Sequence, residues 1–522
     1  MRNHLLFTFF LLFSISLYAQ YSHLKDLKFG SYPVGFQVFN RFDYGRHTQP
    51  KLDFEGKLYE GESALPMQIA VWYPAQIDNN APKLLFEEYA YLTKQVNYYK
   101  PLTEQDKQEA REIIRGPAKG GANIELSDAD IQAIAKTSTA AVKDAKPQAG
   151  TFPLIICGYQ GGPSFNNILC EYLASLGYVV VATSSISKVG SWQATKPPLA
   201  IQESINNLEY LLNFAQSLSN VNTKQLGVIG TNFEGMPALL FQMKQMQADA
   251  VVSIDGWEGK QGSVPTILES IHFDVNKMRV PYFAIMQDEQ NPSPYLTLSQ
   301  AIPDTLVYSQ SYYYVLKEMN HSYLIANLSI IPSISPEKSS AYSYLYTSIG
   351  HFLDAFVKKS PTSIRFMQQT ATENGFPQAI IKTAIKKNAL PAVPIPDEFE
   401  ALVMNGDIEK VTNIYKAAKK SNPNVSLFDF NTIRLFAFRF NQRKQYDKVL
   451  AIWKLGAEAF PESVRVMENL GDTYQNLNNS IMAKQSYEKA LQLLVNNAAW
   501  SEQDKNVMRA ALLEKIKKVE GK

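Results

Sequence analysis

The chain has 522 residues, of which 45% are hydrophobic and 19% charged, and its formal net charge is +2. That length exceeds one ordinary domain, and the composition is that of a globular chain with ample core, which excludes a disordered one. So small a net charge offers no electrostatic basis for a nucleic-acid or anionic-membrane partner.

At the N-terminus, Arg2 and His4 precede an apolar run at 5–17, and Tyr18-Ala19 before Gln20 has the form of a cleavage site. The run is short for a bilayer span. Residues 1–19 are therefore expected to be a removed signal peptide, leaving no stable membrane span and a periplasmic or secreted chain. A buried N-terminal helix is the other reading. The runs 29–35 and 65–75 are strand-like, the second ended by Pro74. Residues 84–145 then change to helical spacing at 103–114 and 127–141. Ser127 and Asp130 suggest a capping box, and the Lys119-Gly-Gly-Ala run suggests a loop. This stretch is expected to be a helical insertion placed to cover a cleft.

From residue 152 strands and helices alternate. Strands are expected at 153–157, 178–183, 225–229, 250–254, 282–286 and 312–316. Helices are expected at 164–176, 200–215, 235–247 and 342–357. The pattern predicts an α/β domain over 20–360, a mostly parallel sheet covered by helices on both faces. Ligands in such sheets bind beyond the carboxyl ends of the strands. Cys157 should end a buried strand and Cys170 should lie on the next helix. A disulfide and two separate buried thiols are both compatible with that placement, the thiols being the simpler case.

One such strand end carries LGVIGTNFEGMPALL at 226–240. A β-branched run leads into Gly230, two more residues and Gly235, after which a helical pattern begins. This has the shape of the G-x-S-x-G elbow, whose middle residue is exposed on a strained strand-to-helix turn. Here that residue is Asn232, and a carboxamide cannot become an attacking alkoxide. Acyl transfer needs a nucleophile, a base and a carboxylate that orients the base. Asp255 and His321 follow the strands 250–254 and 312–316, in the order nucleophile, acid, histidine. Thr231, Ser164 and Ser322 are nearby hydroxyls with no physical reason to be activated. His272 and His351 are expected to be structural. The spacing of Glu234, Asp255, Glu258 and His321 matches no metal-ligand pattern, so no metal is expected.

Residues ~30–360 resemble the platelet-activating-factor acetylhydrolase and dienelactone-hydrolase-like branch of the α/β-hydrolases. The resemblance is carried by VGF at 34–36, FDYGR at 42–46, QIAVWYPA at 68–75, FPLIICGYQGG at 152–162 and IDGW at 254–257. It implies an α/β-hydrolase fold, with Asn232 in the nucleophile's seat and Asp255 and His321 as its acid and base. Gln160 and Phe233 would supply oxyanion-hole N–H groups, since any residue carries an amide. The departures cluster at the site. The family's Gly-His-Ser-Phe-Gly-Gly is Gly230-Thr-Asn-Phe-Glu-Gly235, and its His-Gly loop falls on Gly158-Tyr159. Tyr159, Glu234 and Trp257 become candidate ligand-binding residues. No cofactor is expected.

After a linker expected at 361–396, whose end carries the Pro-rich LPAVPIPD run at 390–397, the chain resembles tetratricopeptide repeats over 397–522. Residues 464–497 place Leu470, Gly471, Tyr474, Ala483, Tyr487 and Ala490 at the repeat's offsets. The copy before them has Phe436, Ala437, Phe440, Trp453, Gly456 and Pro461, and an irregular third spans about 397–423. An all-α helical-repeat domain of this kind implies a concave surface for a protein partner. The expected whole is an exported pseudoenzyme binding a small ester, acyl or glycan ligand in the hydrolase cleft. Two alternatives stand beside it: an active carboxylic-ester hydrolase using another nucleophile or an activated water, and an adaptor working through the repeats.

Overall fold

The computed structural model describes residues 21–47, 52, 56–58, 61–78, 80–95, 99–159, 162–184, 197–259, 263–288, 301–405, 407–421, 423, 425–495 and 497–521. The expected signal peptide at 1–19 lies outside them. Among the described residues no helix is long and apolar enough to cross a membrane. The chain divides into two compact units, Met1–Pro391 and Ala392–Lys522.

Among its described residues the first unit is built on eleven strands: β1 (Val34–His47), β2 (Ala64–Gln76), β3 (Ala141–Lys143), β4 (Lys146–Pro147), β5 (Phe152–Tyr159), β6 (Val179–Ser184), β7 (Val221–Thr231), β8 (Ala250–Ile254), β9 (Tyr282–Met286), β10 (Ser311–Leu316) and β11 (Ile381–Lys387). Their order across the sheet is β11-β10-β9-β8-β7-β5-β6-β2-β1-β3, with β4 paired to β2. The run from β6 through β5 to β10 is parallel throughout, while β2 meets β1 and β6 antiparallel and β11 meets β10 antiparallel. Parallel neighbours need helical crossovers, which cover both faces and make the strands apolar on both sides. β5 shows this: Ile155, Cys157 and Tyr159 face one core, with the helices Asn167–Ser175 and Pro336–Phe356. Leu154 and Ile156 face the other, with Pro197–Ala215 and Gly235–Gln245.

Several expectations are corrected. The first strand starts at Val34 rather than 29 and runs on to His47. Pro74 does not end β2; it pairs opposite Val34. The ladder survives because Ala75 N–H donates to Pro33 O (2.9 Å) and the Pro74 carbonyl accepts Gln148 N–H (2.8 Å). The insertion at 84–145 does contain helices, at Phe86–Leu92, Glu104–Arg111, Arg115–Ala122 and Asp128–Ala135, but its end contributes β3. The Ser127–Asp130 capping box is present. The Lys119-Gly-Gly-Ala run is the last turn of the helix Arg115–Ala122, which Asn123 closes in the left-handed conformation. Of its two glycines, Gly121 packs closely on Ser322, while Gly120 faces open space.

The linker expected at 361–396 instead holds the helix Pro361–Gln368 and the edge strand β11. β11 reads I-K-T-A-I-K-K, half-buried on one side and charged on the other. Such a strand hides the edge of β10, and its lysines discourage further pairing.

The second unit is wholly helical among its described residues. Its helices are Pro396–Asn405, Ile408–Ser421, Phe430–Gln442, Tyr446–Ala459, Val464–Asn476, Ser480–Val495 and Glu502–Glu520. The helices starting at 430 and 446 are repeated by those starting at 464 and 480, at the same interval. Gly471 shows why a small residue is needed: an added Cβ would lie 2.4 Å from the ring of the fully buried Tyr487. The Tyr487 hydroxyl donates to Asp472 and Gln475 (2.8 and 3.0 Å).

Candidate functional site

The site forms where β7, β8, β9 and β10 end. β7 stops at Thr231, and Asn232 follows with φ +58°, in the left-handed region where Asn is the most tolerated residue after Gly. The turn is tight enough to require both flanking glycines. A Cβ on Gly230 would lie 2.2 Å from Glu234 O, and one on Gly235 would lie 2.4 Å from a Glu258 carboxylate oxygen. The helix Gly235–Gln245 leaves directly from this turn. Strand, positive-φ residue, glycine and helix therefore reproduce the elbow with an amide at its tip.

The Asn232 side chain is held from β8's end. Trp257 Nε1–H donates to Asn232 Oδ1 at 2.5 Å, and the Trp257 ring stands edge-on to Phe233 at 5.6 Å. An indole nitrogen only donates, so the amide oxygen must face it.

Asp255 directly follows β8, also at positive φ (+50°) and 1% exposed. Its backbone N–H donates to Ile285 O (2.6 Å). Its Oδ1 accepts Gln287 N–H (3.3 Å), and its Oδ2 accepts from His321 Nδ1. Since a carboxylate only accepts, the His321 proton sits on Nδ1 and a neutral ring presents Nε2 as an acceptor. His321 opens the helix His321–Ile325, capped by Asn320, and its side chain is about one-third exposed (32%). Asp255 and His321, expected together from the sequence order, are thus hydrogen-bonded to each other.

The insertion packs directly on this histidine's helix. Asn320 Nδ2–H donates to Gly121 O (2.6 Å), and a Cβ on Gly121 would fall 1.5 Å from Ser322 Oγ. Gly121, unexpectedly helical, is thus a contact point between insertion and site.

The remaining expected residues fall in different places. Glu234 is buried beneath the turn, accepting Ser204 Oγ–H (3.0 Å) and touching Gly158. Glu258 is buried under β8 and accepts from Ser253 and from Tyr282 Oη–H (2.8 Å). The Tyr159 ring lies in the core with Cys157, Cys170 and Ile168, and burial pushes its hydroxyl pKa well up. Phe233 begins the helical turn after Asn232, and Gln160 lies outside the described residues. Both cysteines are free and buried, and burial, then the neighbouring Cys157, pushes the Cys170 thiol up. His272 bonds Gln202 (3.0 Å), and His351 bonds Ser363 (3.0 Å) and stacks on Phe366. Among the described residues no three His, Cys, Asp or Glu side chains group around a common metal position.

Sequence reasoning missed Gln287 and Asp288. They follow β9, and polar residues at the carboxyl end of a parallel strand were the signal available. Gln287 Oε1 accepts His321 N–H (3.2 Å). Asp288 N–H donates to Met319 O (2.8 Å), and its carboxylate accepts Glu318 N–H (2.7 Å) and Lys382 Nζ–H. Burial pushes the Asp288 carboxyl up, but Lys382 and the Glu318 N–H outweigh it and hold it below the usual range.

The crossing of β5 and β6, the antiparallel β1–β2 start and the elbow after β7 together decide the architecture. The fold is a mostly parallel sheet covered by helices on both faces, with a strand–turn–helix elbow at Asn232. No family model and no curated protein matches the chain. Among solved structures, it is similar to a ferulic acid esterase from Streptomyces cinnamoneus at 14% identity and a TM-score of 0.41, covering 67% of this chain and 96% of that one.

Proposed function

We propose that the chain is an exported α/β-hydrolase-fold pseudoenzyme that binds a small ester, acyl or glycan ligand at Asn232, Asp255 and His321. Asn232 carries the reading: it keeps the positive-φ tip of the elbow and is hydrogen-bonded by Trp257, yet offers no hydroxyl. Loss of the serine from a triad removes about six orders of magnitude in turnover. A carboxamide keeps hydrogen-bonding groups at the tip where the attacking alkoxide is lost. The helical pairs of the second unit resemble tetratricopeptide repeats, and in this reading they hold a protein partner.

The Asp255–His321 pair favours one second reading, hydrolysis by a water that His321 activates. Short-chain nitrophenyl esters and a fluorophosphonate probe separate the two. The pseudoenzyme reading expects no turnover and no labelling by the natural chain, with both appearing in Asn232→Ser. Turnover by the natural chain that disappears in His321→Ala would establish the water mechanism instead. Deletion of residues 397–522 should abolish partner capture while leaving ligand-induced thermal shifts intact.

A further inference from the structure

Gln287 touches both Asp255 and His321 through hydrogen bonds. Its backbone N–H donates to Asp255 Oδ1 at 3.3 Å, and its side-chain Oε1 accepts the backbone N–H of His321 at 3.2 Å. The residue is 5% exposed. Its neighbour extends the same clamp, since Asp288 binds Met319 O and Glu318 N–H in the turn leading to His321. The loop that carries the histidine is therefore tied to the end of β9 at three points: residues 318, 319 and 321.

The side chain has an unused half. The His321 N–H fixes which end of the amide is oxygen, because a donor must meet an acceptor. Nε2 is then the other end, and it has no hydrogen-bond partner among the described residues. A buried amide N–H without an acceptor carries a desolvation penalty, and native structures rarely leave one so. Oε1 and Nε2 belong to one amide, so this donor sits beside the His321 backbone.

We propose that Gln287 is both a positioning residue and a ligand-reading residue. Its backbone and Oε1 fix Asp255 and His321 in register, and its Nε2 donates to an uncharged oxygen acceptor, a carbonyl or hydroxyl oxygen, of the ligand bound beside Asn232. The ligand half rests on the pseudoenzyme reading, while the positioning half does not. An acceptor of this kind suits a site where Asp255 already supplies negative charge, and where a carboxylate ligand would meet repulsion.

Two variants separate these roles. Gln287→Glu keeps an oxygen for the His321 N–H but replaces the donor with an acceptor; Gln287→Ala removes both. Positioning is read without ligand, from the proton NMR resonance of the His321 Nδ1–H bonded to Asp255. It should persist in the natural chain and in Gln287→Glu, and broaden or vanish in Gln287→Ala while the circular dichroism spectrum is unchanged. A resonance unaffected in Gln287→Ala overturns the positioning role. Ligand reading is measured with 4-nitrophenyl butyrate by equilibrium titration. Gln287→Glu should weaken binding by roughly ten-fold or more, about the value of one hydrogen bond. Equal affinity in Gln287→Glu and the natural chain overturns it, as does the absence of saturable binding to the natural chain. Turnover of the ester by the natural chain would instead defeat the pseudoenzyme reading, leaving the NMR result to decide positioning on its own.

Discussion

Asn232 performs two tasks that separate under substitution. Its backbone occupies φ +58°, where Ala is disfavoured by about 1 kcal/mol, and its Oδ1 accepts the Trp257 indole N–H. Asn232→Ala should lower stability by about 2–3 kcal/mol, from the backbone term and the orphaned donor together. Asn232→Gly should recover only the backbone part, and denaturant midpoints of the two variants would show the difference. A second residue-scale case lies in the core. The Glu171 carboxyl, fully buried, accepts from Tyr21 and Tyr89 hydroxyls and from Ala140 N–H, each at 2.8 Å. Glu171→Ala strands those three donors and should cost about 3 kcal/mol or more. Burial pushes the Glu171 carboxyl up, and its hydrogen bonds only partly offset this. The native state therefore keeps this proton where the unfolded chain has released it. Its contribution is fully present below the unfolded carboxylate range and falls as pH rises through the raised native value. Glu171→Gln cannot ionise, so its stability relative to the natural chain should rise over that acidic interval. A relative stability of Glu171→Gln that falls over that interval would contradict the assignment.

Among elements, the insertion and the histidine helix meet at one glycine. A Cβ on Gly121 would lie 1.5 Å from Ser322 Oγ and 2.2 Å from its Cβ. Gly121→Ala should therefore destabilise by roughly 1–3 kcal/mol through overpacking. Adding Ser322→Gly should restore most of it, which a double-mutant cycle measures. This contact was hidden in the sequence because Lys119-Gly-Gly-Ala has loop composition, and only a tertiary neighbour makes it a helix end. By contrast β8 and β9 matched their apolar runs to the residue, since strands buried on both faces must be continuously apolar. Asp255 and His321 were legible for a related reason: each follows a strand whose position periodicity announces. Gln287 follows one too, but its role depends on a bond to the His321 backbone, which no sequence pattern encodes.

For the whole molecule, the boundary between units is set by the sheet edge. The first unit runs to Pro391 because β11 pairs along all of β10. A chain truncated after residue 391 should stay folded and monomeric. One truncated after residue 360 should expose the β10 edge and aggregate, as size-exclusion chromatography would show. Residues 392–522 alone should give a cooperative helical unfolding transition, and a non-cooperative melt would mean that the second unit is not autonomous.

The sequence by itself determined the alternation of strands and helices, the glycine-flanked turn at Asn232 and the order of Asp255 and His321 after it. These are local: hydrophobic period, glycine spacing and chain order are all written along the chain. Only the tertiary structure decided that Trp257 orients the Asn232 amide, that Gln287 and Asp288 clamp the histidine loop, and that 381–387 is a strand rather than linker. Each of those depends on which distant segments become neighbours. That is settled by burying both faces of one sheet and satisfying the polar groups at its edge, not by any residue's own preference.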